Sequence, residues 1–315
     1  MDGQYLVITY NVLPVIFLIV GGRILSYFDF FAANTVEELK KIVVNIGLPA
    51  LLFTAFSSVS FTPRYLAVFG FSFFVCVGFY YVGKGIGKLL GLKSRMFPFL
   101  MTGFEAGMLG YPIFQATFGK GELFKFSIVD FGHEVFVFLV FVPLIIKMSQ
   151  KERAEESAIL MFLKSPPIIG ILFGLLFGSL GLFEGVSDGE FVGVILTTLD
   201  YLGALVVPLI CIVIGYELEF NPSGLKKAVI TTALRLTLAV IVGVLLGKFV
   251  FLDLLGFGRT FFLGFITLLV LPPPFVIPVF LEPQDEEENQ FVLNTLSVHT
   301  IGTLIIYIPL MILLV

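Results

Sequence analysis

Apolar residues run along the chain in long unbroken stretches, separated by short polar breaks, with no two-residue alternation between apolar and polar positions. Runs of about 20 apolar residues are what an α-helix needs to cross the hydrocarbon core of a bilayer. Membrane β-strands would alternate instead. The breaks predict spans near 5–27, 37–57, 64–84, 96–118, 124–146, 166–183, 191–216, 224–247, 260–281 and 290–315. The expected fold class is therefore an all-α membrane protein of ten transmembrane helices. Met1-Asp2-Gly3-Gln4 carries no basic region and no small-residue cleavage site follows the first run, so that run is expected to be retained as a span.

Composition agrees. The chain is 58% hydrophobic and 13% charged, with a mean hydropathy of +1.05, against roughly 45–50% apolar and about 25% charged in soluble domains. Its natural partner is the lipid bilayer, and the net charge of -4 gives no reason to expect nucleic acid. Cys76 and Cys211 both sit inside apolar runs, which reads as neither a disulfide nor a metal pair. Counting Lys and Arg on alternate sides of the ten spans puts thirteen on one side and five on the other, with Arg235 inside a span. The richer side is expected in the cytoplasm, which places both termini outside and the central loop inside the cell. That loop, 147–165, separates two five-span domains, 1–146 and 166–315.

Prolines suggest that the halves are duplicated. Pro14, Pro49 and Pro112 pair with Pro167, Pro208 and Pro278 at offsets of 153, 159 and 166, and Pro112 and Pro278 each precede a histidine, His133 or His299, by 21 residues. Five spans per half is an odd number, so the second repeat is expected to be inverted. Two spans look interrupted. In Leu271-Pro272-Pro273-Pro274 three successive residues lack the helical donor, and in Gly110-Tyr111-Pro112 a flexible residue precedes another missing donor. Irregular backbone at this depth is tolerated where protein or a water-filled cavity satisfies it. Two half-helix N-termini facing each other would attract an anion, particularly a carboxylate.

Asn11-Val12-Leu13-Pro14, Asn45-Ile46-Gly47-Leu48-Pro49-Ala50-Leu51-Leu52, the stretch Gly103 to Pro112 and the cluster Pro272 to Pro274 occur in an order and spacing that resembles a bacterial member of the auxin efflux carrier family. The resemblance covers essentially the whole chain. It implies two inverted five-helix repeats related to bile-acid and sodium/proton transporters, with helices 4 and 9 crossing at their breaks. It also implies secondary transport of organic anions: auxin in plant members, malate, malonate or similar acids in bacterial ones. No cofactor and no enzymatic activity follow from it, and homodimerisation is in keeping with that fold family.

Candidate residues fall into two groups. Gly110, Tyr111, Pro112, Leu271, Pro272, Pro273 and Pro274 form the expected crossover, to which Asn45 adds a side chain able to hold unwound carbonyls. Arg235, near the middle of the eighth span, reads either as a clamp for a substrate carboxylate or as the partner of Asp200 or Glu105 in an internal ion pair. Asp130, His133 and Glu134 share one helical face and suit a proton relay or a fixed hydrogen-bond network, and Asn294, Ser297 and His299 invite the same two readings. Glu105, two turns before Pro112, reads as a proton carrier or a packing residue. Transport is expected to be coupled to a proton or a sodium ion, or to run as an anion uniport driven by the membrane potential.

Other motifs fail. Gly78 to Lys84 matches a phosphate-binding loop until Gly85 replaces its Ser/Thr, and His133-Glu134 begins a zinc motif that Val137 ends. The four-residue repeats Gly83, Gly87, Gly91 and Gly170, Gly174, Gly178 read as helix packing. The expected function is a secondary carrier for a small organic anion. The alternative is a ligand-gated channel or membrane receptor using the same site.

Overall fold

The computed structural model describes residues 2–32, 34–57, 62–148, 158–181, 191–281 and 284–315, and among them it is helix and turn throughout, with no strand. The chain opens with α1 (Asp2–Tyr27), followed by α2 (Thr35–Ile42) and α3 (Leu48–Phe56), which continue one another through a π-helical turn at Val43–Gly47. After α4 (Arg64–Leu89) comes the four-residue α5 (Phe97–Leu100), an irregular stretch, a second π turn at Ala106–Gly110 and α6 (Tyr111–Phe118). Next, α7 (Leu123–Phe136) and α8 (Val142–Met148) flank a third π turn, Val137–Phe141, and α9 (Ala158–Lys164) and α10 (Pro166–Ser179) follow. The rest is α11 (Phe191–Ala204), α12 (Val206–Glu217), α13 (Leu225–Gly247), a wide turn at Lys248–Leu254, α14 (Arg259–Val270), a 3-10 turn at Ile277–Phe280 and α15 (Glu286–Leu314).

Three of the π turns have a common cause in the sequence. Proline at position i denies the carbonyl at i−4 its helical donor. Pro49, Pro112 and Pro143 do this to Asn45, Met108 and Leu139, and each of those carbonyls lies inside a π turn. At the first and third, the residue before the proline reaches back five residues, or the turn closes just ahead of it: Leu48 N–H donates to the Val43 carbonyl and Val142 N–H to that of Val137. Local widening absorbs the ring without ending the rod.

Seven helices among the described residues are long and apolar enough to cross a membrane: Thr9–Tyr27, Thr35–Phe56, Arg64–Leu89, Lys120–Met148, Phe191–Glu217, Leu225–Leu254 and Glu286–Leu314. The expectation of ten transmembrane helices in two inverted five-helix repeats, with crossing helices 4 and 9, is overturned. The described residues form an all-α membrane protein with seven helices long and apolar enough to span. Hydropathy counted apolar stretches, whereas a span needs an unbroken helix. The stretch 96–118 is split by the irregular residues 101–105 into a helix of four residues and the second π turn of five that runs into a helix of eight, and 260–281 splits into pieces of twelve and four. The stretch 166–183 gives a helix of 14 residues, about 21 Å long at ~1.5 Å per residue; positions 182–183 lie outside the described residues. Part of the central connection does too, at 149–157, including the basic Lys151 and Arg153.

The chain folds into two compact units, each built from three separate segments. Unit 1 comprises Met1–Tyr65, Gly107–Ser127 and Phe162–Leu218. Within it small residues set the helix spacing. Gly22 meets the Ile212 carbonyl and Gly215 that of Ile19, so α1 and α12 touch backbone to backbone. A β-carbon on Gly174 would stand 2.8 Å from the Phe56 β-carbon, and Gly170 and Gly178 face Pro49 and Ser57 in the same way, seating α10 on α3.

Unit 2 comprises Leu66–Ala106, Ile128–Met161 and Glu219–Val315. It is the more unusual interior, because Thr102, Asp130, His133, Arg235, Thr267, Asn294 and His299 are all at most 1% exposed there. Its last helix, α15, begins on the acidic run that hydropathy leaves in a loop. Asp285 caps it by accepting from Glu288 N–H at 3.2 Å, and Glu286, Glu287 and Glu288 fill the first turn, where the helix end is positive.

Candidate functional site

The polar centre of unit 2 forms where two stretches of backbone leave the helical path. One is residues 101–105, between α5 and the second π turn; the other is 271–276, between α14 and the 3-10 turn. Leu271 is extended, with ψ at 153°, and the three prolines after it have no N–H to offer. Outside a helix, the Pro272 carbonyl needs a partner from elsewhere. Glu105 supplies one, its N–H donating to the Pro272 carbonyl at 2.9 Å. Its side chain turns the other way, and Glu105 Oε2 accepts from Phe275 N–H at 2.6 Å. One residue thus ties the two stretches together through both backbone and carboxylate.

Gly103 explains how they come so close. Its φ of +68° is the left-handed conformation that side chains disfavour, and a β-carbon there would stand 2.8 Å from Pro274 Cγ. Thr102 anchors the same stretch to α4, its hydroxyl donating to the Cys76 carbonyl at 2.6 Å.

Arg235 lies entirely inside, at 0% exposure. Its two terminal nitrogens donate to the carbonyls of Leu100, Thr102, Gly103 and Leu271. Leu100 ends α5 and Leu271 follows α14, so the cation sits at the negative ends of both helices preceding the irregular stretches. The Phe104 ring lies 4.8 Å from the guanidinium carbon, a cation–π contact. The other partner suggested for it by sequence, Asp200, forms a salt bridge with Lys120 in unit 1.

His133 finishes the turn. Phe104 N–H donates to its Nε2 at 2.9 Å, so that nitrogen is unprotonated; Nδ1 carries the hydrogen and donates to Asp130 Oδ1 at 2.8 Å. The donor atoms of Asp130, His133 and Glu134 all lie within 4.8 Å of one another. Such a set has the chemistry to ligate a cation, but both imidazole nitrogens are engaged, and a metal at Nδ1 would have to take the place of the hydrogen held by Asp130.

The remaining sequence-predicted residues lie elsewhere. Asn294 and Ser297 hold the turn before α13: Asn294 accepts from Asn221 N–H at 2.8 Å and donates to the Asn221 and Ser223 carbonyls, while Ser297 accepts from Glu219 N–H at 3.0 Å. His299, one turn further along α15, contacts Thr303, whose hydroxyl donates to the Val270 carbonyl at 2.6 Å. In unit 1, Gly110 closes the second π turn and Pro112 begins α6, where Tyr111 packs edge-on against Phe126 at 5.0 Å. Asn45 is exposed within the first π turn. Pro273 takes its place in the irregular stretch between Pro272 and Pro274.

Sequence reasoning missed Thr102, Gly103 and Phe104 as site residues. The available signal was the run Thr-Gly-Phe-Glu: a glycine two residues before a buried carboxylate marks a turn more sharply than the Gly-x-Pro that follows it.

No protein-family model matches the chain. Two relatives do. An uncharacterized transporter of Methanothermobacter thermautotrophicus is 26% identical over 244 residues, covering 73% of this chain and 75% of the relative. An uncharacterized transporter of Methanocaldococcus jannaschii is 27% identical over 226 residues, covering 69% and 70%. The chain is thus similar over about two thirds or more of its length to two archaeal proteins named as transporters.

Proposed function

We propose that this protein is a secondary transporter carrying a small organic anion of the carboxylate class across the cytoplasmic membrane by alternating access, in the manner of the auxin efflux carriers that its motifs resemble. The observation that carries the reading is the bonded pair of irregular stretches, 101–105 and 271–276, buried in a chain with seven apolar spans. Such backbone is tolerated in a membrane where protein or a water-filled cavity satisfies it, and in carriers it lines the substrate site. The names of the two relatives support transport as the class of activity. A carboxylate substrate is supported by Glu105, whose carboxylate rests on Phe275 N–H, so the backbone there already suits that group.

In this reading Arg235 and Gly103 shape the site. Leu271 to Pro274 contribute its substrate-facing backbone. Asp130, His133, Glu134 and Glu105 handle a coupling proton, with Asn294 and His299 as further polar positions. The central connection, flanked by Lys147 and Lys164, lies in the cytoplasm.

The test is counterflow. Proteoliposomes preloaded with unlabelled mono- or dicarboxylates should take up the labelled acid faster than empty ones. A channel or receptor using the same site would bind with saturation yet show no stimulated exchange, and that result would reject the carrier.

A further inference from the structure

In unit 2, Thr232 Oγ1 and Arg235 Nε on α13 and His299 Nε2 on α15 are buried polar atoms to which the described residues give no hydrogen bond. The residues that carry them lie along the contact between α13 and α15. Thr232 and Arg235 are three residues apart on α13 and share a face. Thr232 Cγ2 lies 3.3 Å from where a β-carbon of Gly302 would stand, and Gly302 is three residues beyond His299 on α15. The two helices also converge on adjacent carbonyls at the end of α14. Thr303, bonded to His299, donates to the Val270 carbonyl, and Arg235 donates to that of Leu271 at 3.3 Å.

Hydrogen counting fixes what each atom offers. The Thr303 hydroxyl has a single hydrogen, which goes to Val270. Toward His299 Nδ1, 3.2 Å away, it therefore accepts, and Nδ1 is the protonated nitrogen. His299 Nε2 is then a lone-pair acceptor, Arg235 Nε–H is only a donor, and the Thr232 hydroxyl can be either.

We propose that these three atoms form a buried site for a single water molecule. It accepts from Arg235 Nε–H and donates to His299 Nε2 and Thr232 Oγ1. The guanidinium repels a metal cation, and the His299 lone pair repels an anion. A neutral molecule that both gives and takes hydrogen bonds satisfies the set, and three protein partners are typical of a buried water. The water links α15 to Arg235, and through it to the interrupted backbone. This holds whatever the protein transports.

A structure of the unmodified full chain in lipid nanodiscs, at a resolution that shows ordered water, should reveal one peak within hydrogen-bond distance of all three atoms. A direct Arg235–His299 bond, closure of the gap by van der Waals contact, or a larger anion-shaped peak would overturn the proposal. Thermal unfolding gives an independent readout. His299→Asn retains a donor toward Thr303 but deletes the Nε2 acceptor, and Thr232→Val deletes the hydroxyl without changing shape. With one shared water, the double variant should lose clearly less melting temperature than the two single losses combined. Additive losses would refute the shared site.

Discussion

Arg235 shows what a buried charge does when its partners are main-chain carbonyls and not a carboxylate. Taking it away leaves the carbonyls of Leu100, Thr102, Gly103 and Leu271 without this donor, at about 1–3 kcal/mol for each group that finds no replacement. Arg235→Ala should therefore lower thermal stability in detergent more than any neighbouring polar-to-alanine change. Arg235→Lys should recover only part, because an ammonium lacks the planar fork that serves two helix ends at once. A melting temperature unchanged in both variants would contradict the bracing role. Asp130→Asn separates stability from coupling. The amide oxygen can still accept from His133 Nδ1, so stability should change by less than about 1 kcal/mol, while a proton-handling role predicts that the pH dependence of transport flattens. An unaltered pH profile would confine Asp130 to orienting His133.

At the scale of elements, the behaviour of the chain turns on how proline is accommodated. A lone proline with helix on both sides, as at Pro49 or Pro143, widens one turn and the rod continues. Three in succession at 272–274 end the helix, and the released backbone must pair across space. Replacing Pro272, Pro273 and Pro274 together by alanine should let α14 continue toward the 3-10 turn, displacing the Pro272 carbonyl from Glu105. The variant should insert into the membrane and lose transport; full transport by an inserted protein would remove this stretch from the mechanism. Gly103→Ala probes the same contact from the other side. The left-handed φ costs about 1 kcal/mol for alanine, and the β-carbon also meets the rigid Pro274 ring, so the loss should exceed that of Gly91→Ala, whose φ is also left-handed but whose surroundings are open. Sequence patterning located the break at 272–274, because proline acts locally, but placed the other break at Gly110 to Pro112, which is helical, whereas the irregular stretch lies at 101–105. It did not reveal that Glu105 bridges them, since a backbone-to-backbone pairing between residues 105 and 272 leaves no trace in side-chain spacing.

For the whole molecule, hydropathy told correctly that the chain is helical and made for lipid, and it overcounted the spans. A sliding reading registers the apolar character of 96–118 and 260–281 but not the missing donors that cut them short. Nor does linear order disclose that each unit gathers three separated segments, because packing partners are chosen by shape. The glycine repeat at 170, 174 and 178 was an exception, since small residues at four-residue intervals point to a flat face and α3 occupies it. Gly215 carries the same logic on α12. Gly215→Leu would push α1 and α12 apart where their backbones touch, so the purified variant should elute as aggregate or unfold at a clearly lower temperature, whereas Gly85→Leu, on an open surface of α4, should be tolerated. Equal behaviour of the two would argue against close packing as the organising feature of unit 1.

A single guanidinium that grips residues 100, 102 and 103 on one side and 271 on the other makes the two interrupted segments one mechanical part. Whatever swing or tilt the protein undergoes, they travel together. Spin labels placed beside each segment should keep a constant separation through the working cycle, while labels elsewhere change theirs.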